Sequence, residues 1–434
     1  MLRYLLIFLT GVATSFFYFP TTLAFLPSSV NTKMVLALIG LFIILYQSIN
    51  RRIFNIHKDI LWLSVFAGVV SIIGLFSVVY NGTQDYAYAT YIVSMWVWLS
   101  GAYTVVSLIK YVHGRVDVKL LCSYLISVCV FQCIIAQVID VNPVVRIFAQ
   151  RLMGNDMAWV ESVNRLYGIG AELDTAGIRF SMALVMVAYL AMECKEVKYQ
   201  LLYVLSFFLI TVLGSMIART TYIGCVVGVI YIFITSEIWK FRFKTSMSKI
   251  VGVIIALLIV VIPICVYLYN TDPRVYKLFR FAFEGFFNLA ERGEWSLASN
   301  EKLKSMIVFP ETLKTWIIGD GYFGNPYNSD PYYVGGYIEG WYMGTDIGYL
   351  RFIFYFGLIG LLSFLSFIIY SARLCVKVFP EYKIMLYSIL LVGLVVWLKV
   401  STDIYLIFAL FICLSVVKNQ SYNCHSSEIK GSEW

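Results

Sequence analysis

Apolar stretches long enough to cross a bilayer recur from one end of this chain to the other. That recurrence limits its fold more than any other feature. At about 1.5 Å of rise per residue, some 20 apolar residues span the hydrocarbon core as a helix. Hydropathy places such stretches near 4–26, 34–50, 60–79, 89–109, 119–139, 176–193, 200–217, 221–237, 250–269, 346–370, 383–399 and 402–418. With no water in lipid to satisfy the backbone, these segments must be helical or close into a barrel, and their length selects helices. The composition agrees. Of 434 residues, 60% are hydrophobic and only 13% charged, too little polar surface for a soluble protein of this length. The first stretch, "MLRYLLIFLTGVATSFFYFP", imitates a signal peptide. Its apolar run is long and further spans follow, so it reads as the first transmembrane helix. The expected fold is an all-α polytopic membrane protein of about twelve transmembrane helices.

Orientation follows from the short loops. Arg51, Arg52 and Lys58 lie in one, and Lys110, Arg115 and Lys119 in another. Lys240, Arg242, Lys244 and Lys249 lie in a third, and Arg373, Lys377 and Lys383 in a fourth. These alternate with loops nearly free of positive charge, such as "YNGTQDYAY" at 80–88. The positive-inside rule then puts both termini in the cytoplasm. The net charge of +8 is accounted for by these inner loops and does not require a nucleic-acid partner. None of the nine cysteines falls in an outer loop, and their spacing suits neither a disulfide framework nor zinc.

Two outer loops stand apart by size, at about 140–175 and 270–345. The chain therefore divides into spans 1–9 (1–269), a large outer loop (270–345), spans 10–12 (346–418) and an inner tail (419–434). In the large loop, "DPRVYKLFRFAFEGFFNLAERGE" places Val275, Leu278, Phe279, Ala282, Phe286 and Leu289 at helical spacing after Pro273. An interfacial helix, or one packed on the other spans, fits it. "NEKLKSMIVFPETLKTWIIGDGYFG" predicts a second helix, interrupted near Pro310 and ended by glycines. A Gly-, Tyr- and Asn-rich loop follows it.

Charges near or within apolar spans are costly and point to function. Arg179 sits near the start of the sixth span, after Glu172 and Asp174. A guanidinium there opposes the helix dipole and calls for an anion, either a ligand or a carboxylate such as Asp174. Arg219 occupies the tight turn between the seventh and eighth spans. Arg274 and Arg280 lie on the amphipathic segment, where lipid phosphate contact is the plainer reading. In "GTDIGYLRFIFYFGLIGLL" (344–362), Asp346 stands where a helix N-cap belongs, and Arg351 lies inside the span. Guanidinium forks suit phosphate oxygens and keep their charge in a low dielectric. Tyr322, Tyr327, Tyr332, Tyr333, Tyr337, Trp341 and Tyr342 offer faces for sugar rings, or form an interfacial belt. His57, His113 and His425 all fall on the inner side, so an outer base would be a carboxylate or a tyrosine. Glu172, Asp174, Asp320 and Asp346 are the nearest carboxylates.

These residues resemble O-antigen polymerases of the Wzy type. Asp346, Gly348, Tyr349 and Leu350, then Gly357-Leu358-Ile359-Gly360, look like the family's Asp-small-Gly-Tyr-Leu stretch and the Gly-Leu-Ile-Gly that follows it. "GIRFS" around Arg179, "IART" around Arg219 and "GDGYFG" at Gly319–Gly324 resemble further family positions. Arg274 and Gly285 are similar to an Arg–Gly spacing of some members, whereas Arg146, Arg151 and Arg165 do not fit it.

The resemblance implies a GT-C-like architecture with a large periplasmic loop between spans 9 and 10, in the bacterial inner membrane. It implies an inverting, metal-independent glycosyltransferase without cofactor. A glycan on undecaprenyl pyrophosphate would be transferred to the non-reducing end of a second undecaprenyl-pyrophosphate-linked repeat unit. Arg179, Arg219, Arg351, Arg274 and Arg280 would hold pyrophosphate, and Tyr322, Trp341 and Tyr349 would hold sugar. Asp346, Glu172 or Asp174 would be the base. Membrane lipids and a chain-length regulator are the expected partners. The related O-antigen ligases use an outer histidine, which this chain lacks. Flippases of lipid-linked oligosaccharides show two similar halves and short loops, unlike this chain.

Overall fold

The computed structural model describes residues 1–51, 58–153, 165–236, 245–338 and 340–417. Arg52, His57, Lys240, Arg242, Lys244, Cys424, His425 and the 419–434 tail lie outside the described residues. The described elements are helical apart from turns and one isolated bridge between Thr22 and Asn31.

In chain order the helices begin with α1 (Leu2–Tyr18), α2 (Thr32–Arg51), α3 (Lys58–Asn81), α4 (Tyr91–His113) and α5 (Val118–Val141). Then come α6 (Pro143–Met153), α7 (Leu173–Glu193), α8 (Val197–Ile217), α9 (Thr221–Thr235) and α10 (Thr245–Thr271). The shorter α11 (Pro273–Ala282), α12 (Glu284–Arg292), α13 (Ala298–Ser305), α14 (Leu313–Ile317) and α15 (Pro326–Ser329) follow. α16 (Gly348–Val378), α17 (Lys383–Val396) and α18 (Tyr405–Val417) complete the chain. A helix overlaps each predicted span. Seven of them, α2–α5, α7, α8 and α16, are long and apolar enough to cross a membrane. The protein is a polytopic membrane protein.

Several boundaries differ from expectation for local reasons. α1 stops at Tyr18, because Pro20 follows and Thr32 folds back to bind Thr21 and Phe16. α18 starts only at Tyr405, whose N–H is accepted by Asp403 Oδ1 at 2.8 Å. The amphipathic segment is two helices, α11 and α12, parted at Phe283. Asp272 caps α11 and Pro273 opens it.

The chain forms two compact units, residues 1–32 with 118–297 and residues 33–117 with 298–434. The first is built around α7, which is buried along most of its length. A helix apolar all round belongs at the centre of a bundle, and α5, α8 and α9 pack against it. Small residues let α9 approach: a Cβ on Gly224 would stand 2.2 Å from the Cα of Ser181. Ser181 Oγ in turn donates to the carbonyl of Thr220 at 2.8 Å and accepts from Gly224 N–H at 3.1 Å.

The second unit is built around α16, packed on α3 and α14. The apolar run of α16 predicts one continuous helix, but it breaks at Phe356 and Gly357. Gly357 adopts φ 68°, ψ −173°, a conformation essentially reserved for glycine. The break leaves backbone carbonyls for other segments. Asp320 N–H donates to Phe354 O at 2.6 Å, Gly321 N–H to Tyr355 O at 3.1 Å, and Ser77 Oγ also to Tyr355 O at 2.7 Å. The turn after α14 thus docks into a membrane-type helix with its polar backbone satisfied.

Gly357→Ala is therefore expected to lower the unfolding midpoint in detergent by several degrees. The methyl would meet Ile317 O at 2.0 Å, in a backbone conformation that costs about 1–3 kcal/mol. Gly11→Ala, on a helix with nothing within 4 Å, should leave the midpoint unchanged or raised. Equal midpoints for the two variants in a thermal melt would contradict the role given to the break.

Candidate functional site

Each unit carries a group of cations and polar residues. In the second unit the group centres on Arg351, in the first turn of α16. Its side chain is 4% exposed. The guanidinium lies between two aromatic faces, 3.9 Å from the Phe323 ring centroid and 3.8 Å from that of Trp341. One NH2 group donates to Ser401 Oγ at 2.6 Å and the other to Phe323 O at 3.0 Å. Nε is buried with no hydrogen-bond partner among the described residues. No described carboxylate makes a salt bridge with this cation; Asp346 and Asp85 act on it from further away. Stacking of this kind is worth about 0.5–2 kcal/mol per ring, which offsets only part of the burial of a charge.

Phe323 is held in place by a residue that sequence reasoning passed over. Asp85, in the 82–90 turn, accepts the N–H groups of both Phe323 and Gly324 at 2.8 Å, and that of Ala87 at 3.1 Å. Tyr355 braces the same turn. Its hydroxyl donates to Asp85 O at 2.9 Å and accepts from Tyr88 and Ala89 N–H at 3.2 Å. The signal was a lone acid in a loop read only for its lack of positive charge.

Around this centre the predicted sugar-binding residues part company. Trp341 stays 43% exposed while covering Arg351. Tyr322 is half-buried, its hydroxyl on Asp330 Oδ2 at 2.7 Å and its ring near Tyr342 and Tyr333. Tyr349 lies against Trp397 and donates to Leu394 O at 2.9 Å, so its ring and hydroxyl both serve packing. Tyr342 reaches Asp320 Oδ2 at 3.3 Å, and Lys314 and Thr315 meet Asp320 Oδ1 at 2.8 Å. Burial, then the adjacent carboxylates, push the phenols of Tyr322 and Tyr342 above the ordinary tyrosine range. Asp346 is not the cap that its position suggests. Ile347 is the N-cap residue, without a side-chain cap, and Thr345 Oγ1 accepts its N–H at 3.3 Å. Asp346 is half-buried one residue upstream.

In the first unit, Arg219 is ion-paired to Glu284 at 2.5 Å and donates from Nε to Phe281 O at 2.9 Å. Arg280 forks onto both oxygens of Glu291, at 2.5 and 3.0 Å. Both arginines therefore have their own carboxylates, which the split of the amphipathic segment at Phe283 brings back to them. Burial lowers the pKa of Arg219 and Glu284 opposes that shift. Arg179 is 9% exposed on α7, with its guanidinium 5.5 Å from the Phe19 ring centroid and its carbonyl accepting from Tyr18. Asp174 Oδ1 accepts from Thr220 Oγ1 at 3.2 Å. Glu172 is the N-cap residue of α7 but makes no side-chain cap, and Leu173 beside it has φ 48°. A non-glycine residue in that region is strained, and strain of this kind gathers at functional sites. The other such residue described, Met343 at φ 56°, is two positions from Trp341.

The predicted residues thus fall into two sets. Arg179, Arg219, Arg274, Arg280, Glu172 and Asp174 belong to the first unit, and Arg351, Asp346, Tyr322, Trp341 and Tyr349 to the second. No protein-family model matches the chain, nor does any curated protein or solved structure.

Asp85→Ala should free the Phe323–Gly324 backbone and loosen the cover over Arg351. Chymotrypsin should then cut between residues 322 and 342 several-fold faster than in the wild type. Asp272→Ala, which only removes the α11 cap, should leave that rate unchanged. An unchanged rate in Asp85→Ala would contradict the tether.

Proposed function

We propose that this chain polymerises lipid-linked oligosaccharide repeat units at the outer face of a bacterial inner membrane. In this reading it has twelve spans and both termini in the cytoplasm. The observation that carries the reading is Arg351, a nearly buried guanidinium roofed by aromatic rings and lacking a carboxylate partner among the described residues. Such a group suits an arriving anion, and arginine keeps its charge at low dielectric. The resemblance makes that anion the pyrophosphate of an undecaprenyl-linked glycan.

The chemistry needs two things. The departing pyrophosphate must be stabilised, and the acceptor hydroxyl must lose its proton. Guanidinium groups supply the first, with Arg351 favoured over Arg219 and Arg280, whose charge Glu284 and Glu291 already balance. A carboxylate supplies the second. Tyr322 and Tyr342 hold their protons too firmly to serve as bases at neutral pH. Asp346, half-buried just ahead of α16, is the base of choice in the Arg351 group. Trp341 and Tyr322 present ring faces that suit a sugar.

Deleting the gene should leave the surface glycan as single repeat units on its anchor. Arg351→Gln should fail to restore polymer, with a loss on the order of a hundredfold for one charge-stabilising donor. Arg351→Lys should restore it only partly, since the fork is lost. Polymer accumulating on the lipid carrier would instead mean a ligase, and repeat units trapped on the inner leaflet a flippase. Full-length polymer from Arg351→Gln would contradict the role given to that residue.

A further inference from the structure

A second cationic place lies in the first unit and shares no residue with the Arg351 group. The end of α5, helix α6, residues 165–167 and α11 enclose a cavity of about 520 Å³. Four cations line it, Arg146, Arg165, Arg274 and Lys277, against the single carboxylate of Asp140. Two of the four have an evident structural task. Arg146 donates to the carbonyls of Ile139 and Asp140, and Arg274 to that of Asp140 at 3.4 Å. They answer the free carbonyls at the C-terminus of α5. Arg146 also meets the Asp140 carboxylate at 3.8 Å.

The other two have no such task. Lys277 is exposed at the cavity and makes no ion pair among the described residues. Arg165 is partly buried over the Phe281 ring, 4.6 Å from its centroid, and its Nε has no hydrogen-bond partner among the described residues. Burial lowers its pKa, Arg219 adds to that shift, and Asp174 opposes it without a salt bridge. Like charges gathered around an open polar cavity repel one another unless an anion joins them.

We infer that this cavity is a binding site for a phosphate-class oxyanion. Arg165 and Lys277 would be its direct contacts, with Arg274 and Arg146 at its wall. Guanidinium and ammonium groups together suit phosphate oxygens, the fork giving direction and the ammonium a point charge. The cavity is also within the size range of small-ligand sites and has room for a diphosphate. The inference stands on this cavity alone and goes beyond the proposed reaction. The same chemistry can come from a lipid-borne pyrophosphate or from a free one.

The full chain in nanodiscs of zwitterionic lipid tests it by calorimetry, without any glycan transfer. Inorganic pyrophosphate is one probe, and farnesyl pyrophosphate placed in the bilayer is the other. At least one probe should bind saturably. Arg274→Gln with Lys277→Gln, both at exposed positions, should weaken it tenfold or more, as should Arg165→Gln. Arg292→Gln, an exposed cation of α12 outside the cavity, should stay within twofold of the wild type. Binding of both probes assigns the site to the phosphate group itself, and binding of the lipid-borne probe alone assigns it to a lipid. Binding of neither, or an unchanged affinity in the double variant, overturns the inference. A polymerase without this binding, or this binding without polymerase activity, separates the two proposals.

Discussion

The second unit depends on one backbone event, the break of α16 at Phe356–Gly357. An unbroken helix would keep the carbonyls of Phe354 and Tyr355 for its own ladder. Broken, it offers them to Asp320, Gly321 and Ser77. Only glycine holds φ 68° and ψ −173° without strain, and only a glycine at 319 permits the approach, since a Cβ there would meet the Tyr355 backbone at 2.5 Å. From this anchor the chain runs through Tyr322 and Phe323, is caught by Asp85, and covers Arg351. The position of the buried cation and that of its cover therefore share one origin.

Charge is treated differently in different places. Where a cation serves packing, it has a carboxylate or a helix end beside it, as do Arg219, Arg280 and Arg146. Arg351, Arg165 and Lys277 break that rule among the described residues. Burying or crowding a cation without its counter-ion is destabilising, and a fold keeps such a feature where something else gains from it. Those three residues distinguish a site from a scaffold more clearly than any count of arginines does.

The helices were legible because apolar length and loop charge are properties of the sequence itself. α11 and the interrupted second helix of the 270–345 segment were readable in the same way, from Pro273, Pro310 and the glycines. What sequence could not show were the long-range pairings. Phe356–Gly357 sits in a run that reads as uninterrupted helix, because Gly inside a membrane helix is common. Asp346 looked like a cap, yet the first turn begins one residue later. Glu284 and Glu291 were visible, but only the turn at Phe283 brings them to Arg219 and Arg280. Asp85, Arg165 and Lys277 had no local pattern to mark them, and their roles come from residues far away in the chain.

In the proposed polymerase, a discontinuous membrane helix, a cation under an aromatic roof and half-buried carboxylates would act on a sugar carried by a phosphate leaving group. The most direct measurement is reconstitution of the purified chain in nanodiscs with lipid-linked repeat units, followed by electrophoresis of the glycan. A ladder of polymer should form without added metal or nucleotide, and should vanish in Arg351→Gln. Repeat units that remain single with the wild-type chain, or a ladder that Arg351→Gln forms equally well, would contradict the proposed function.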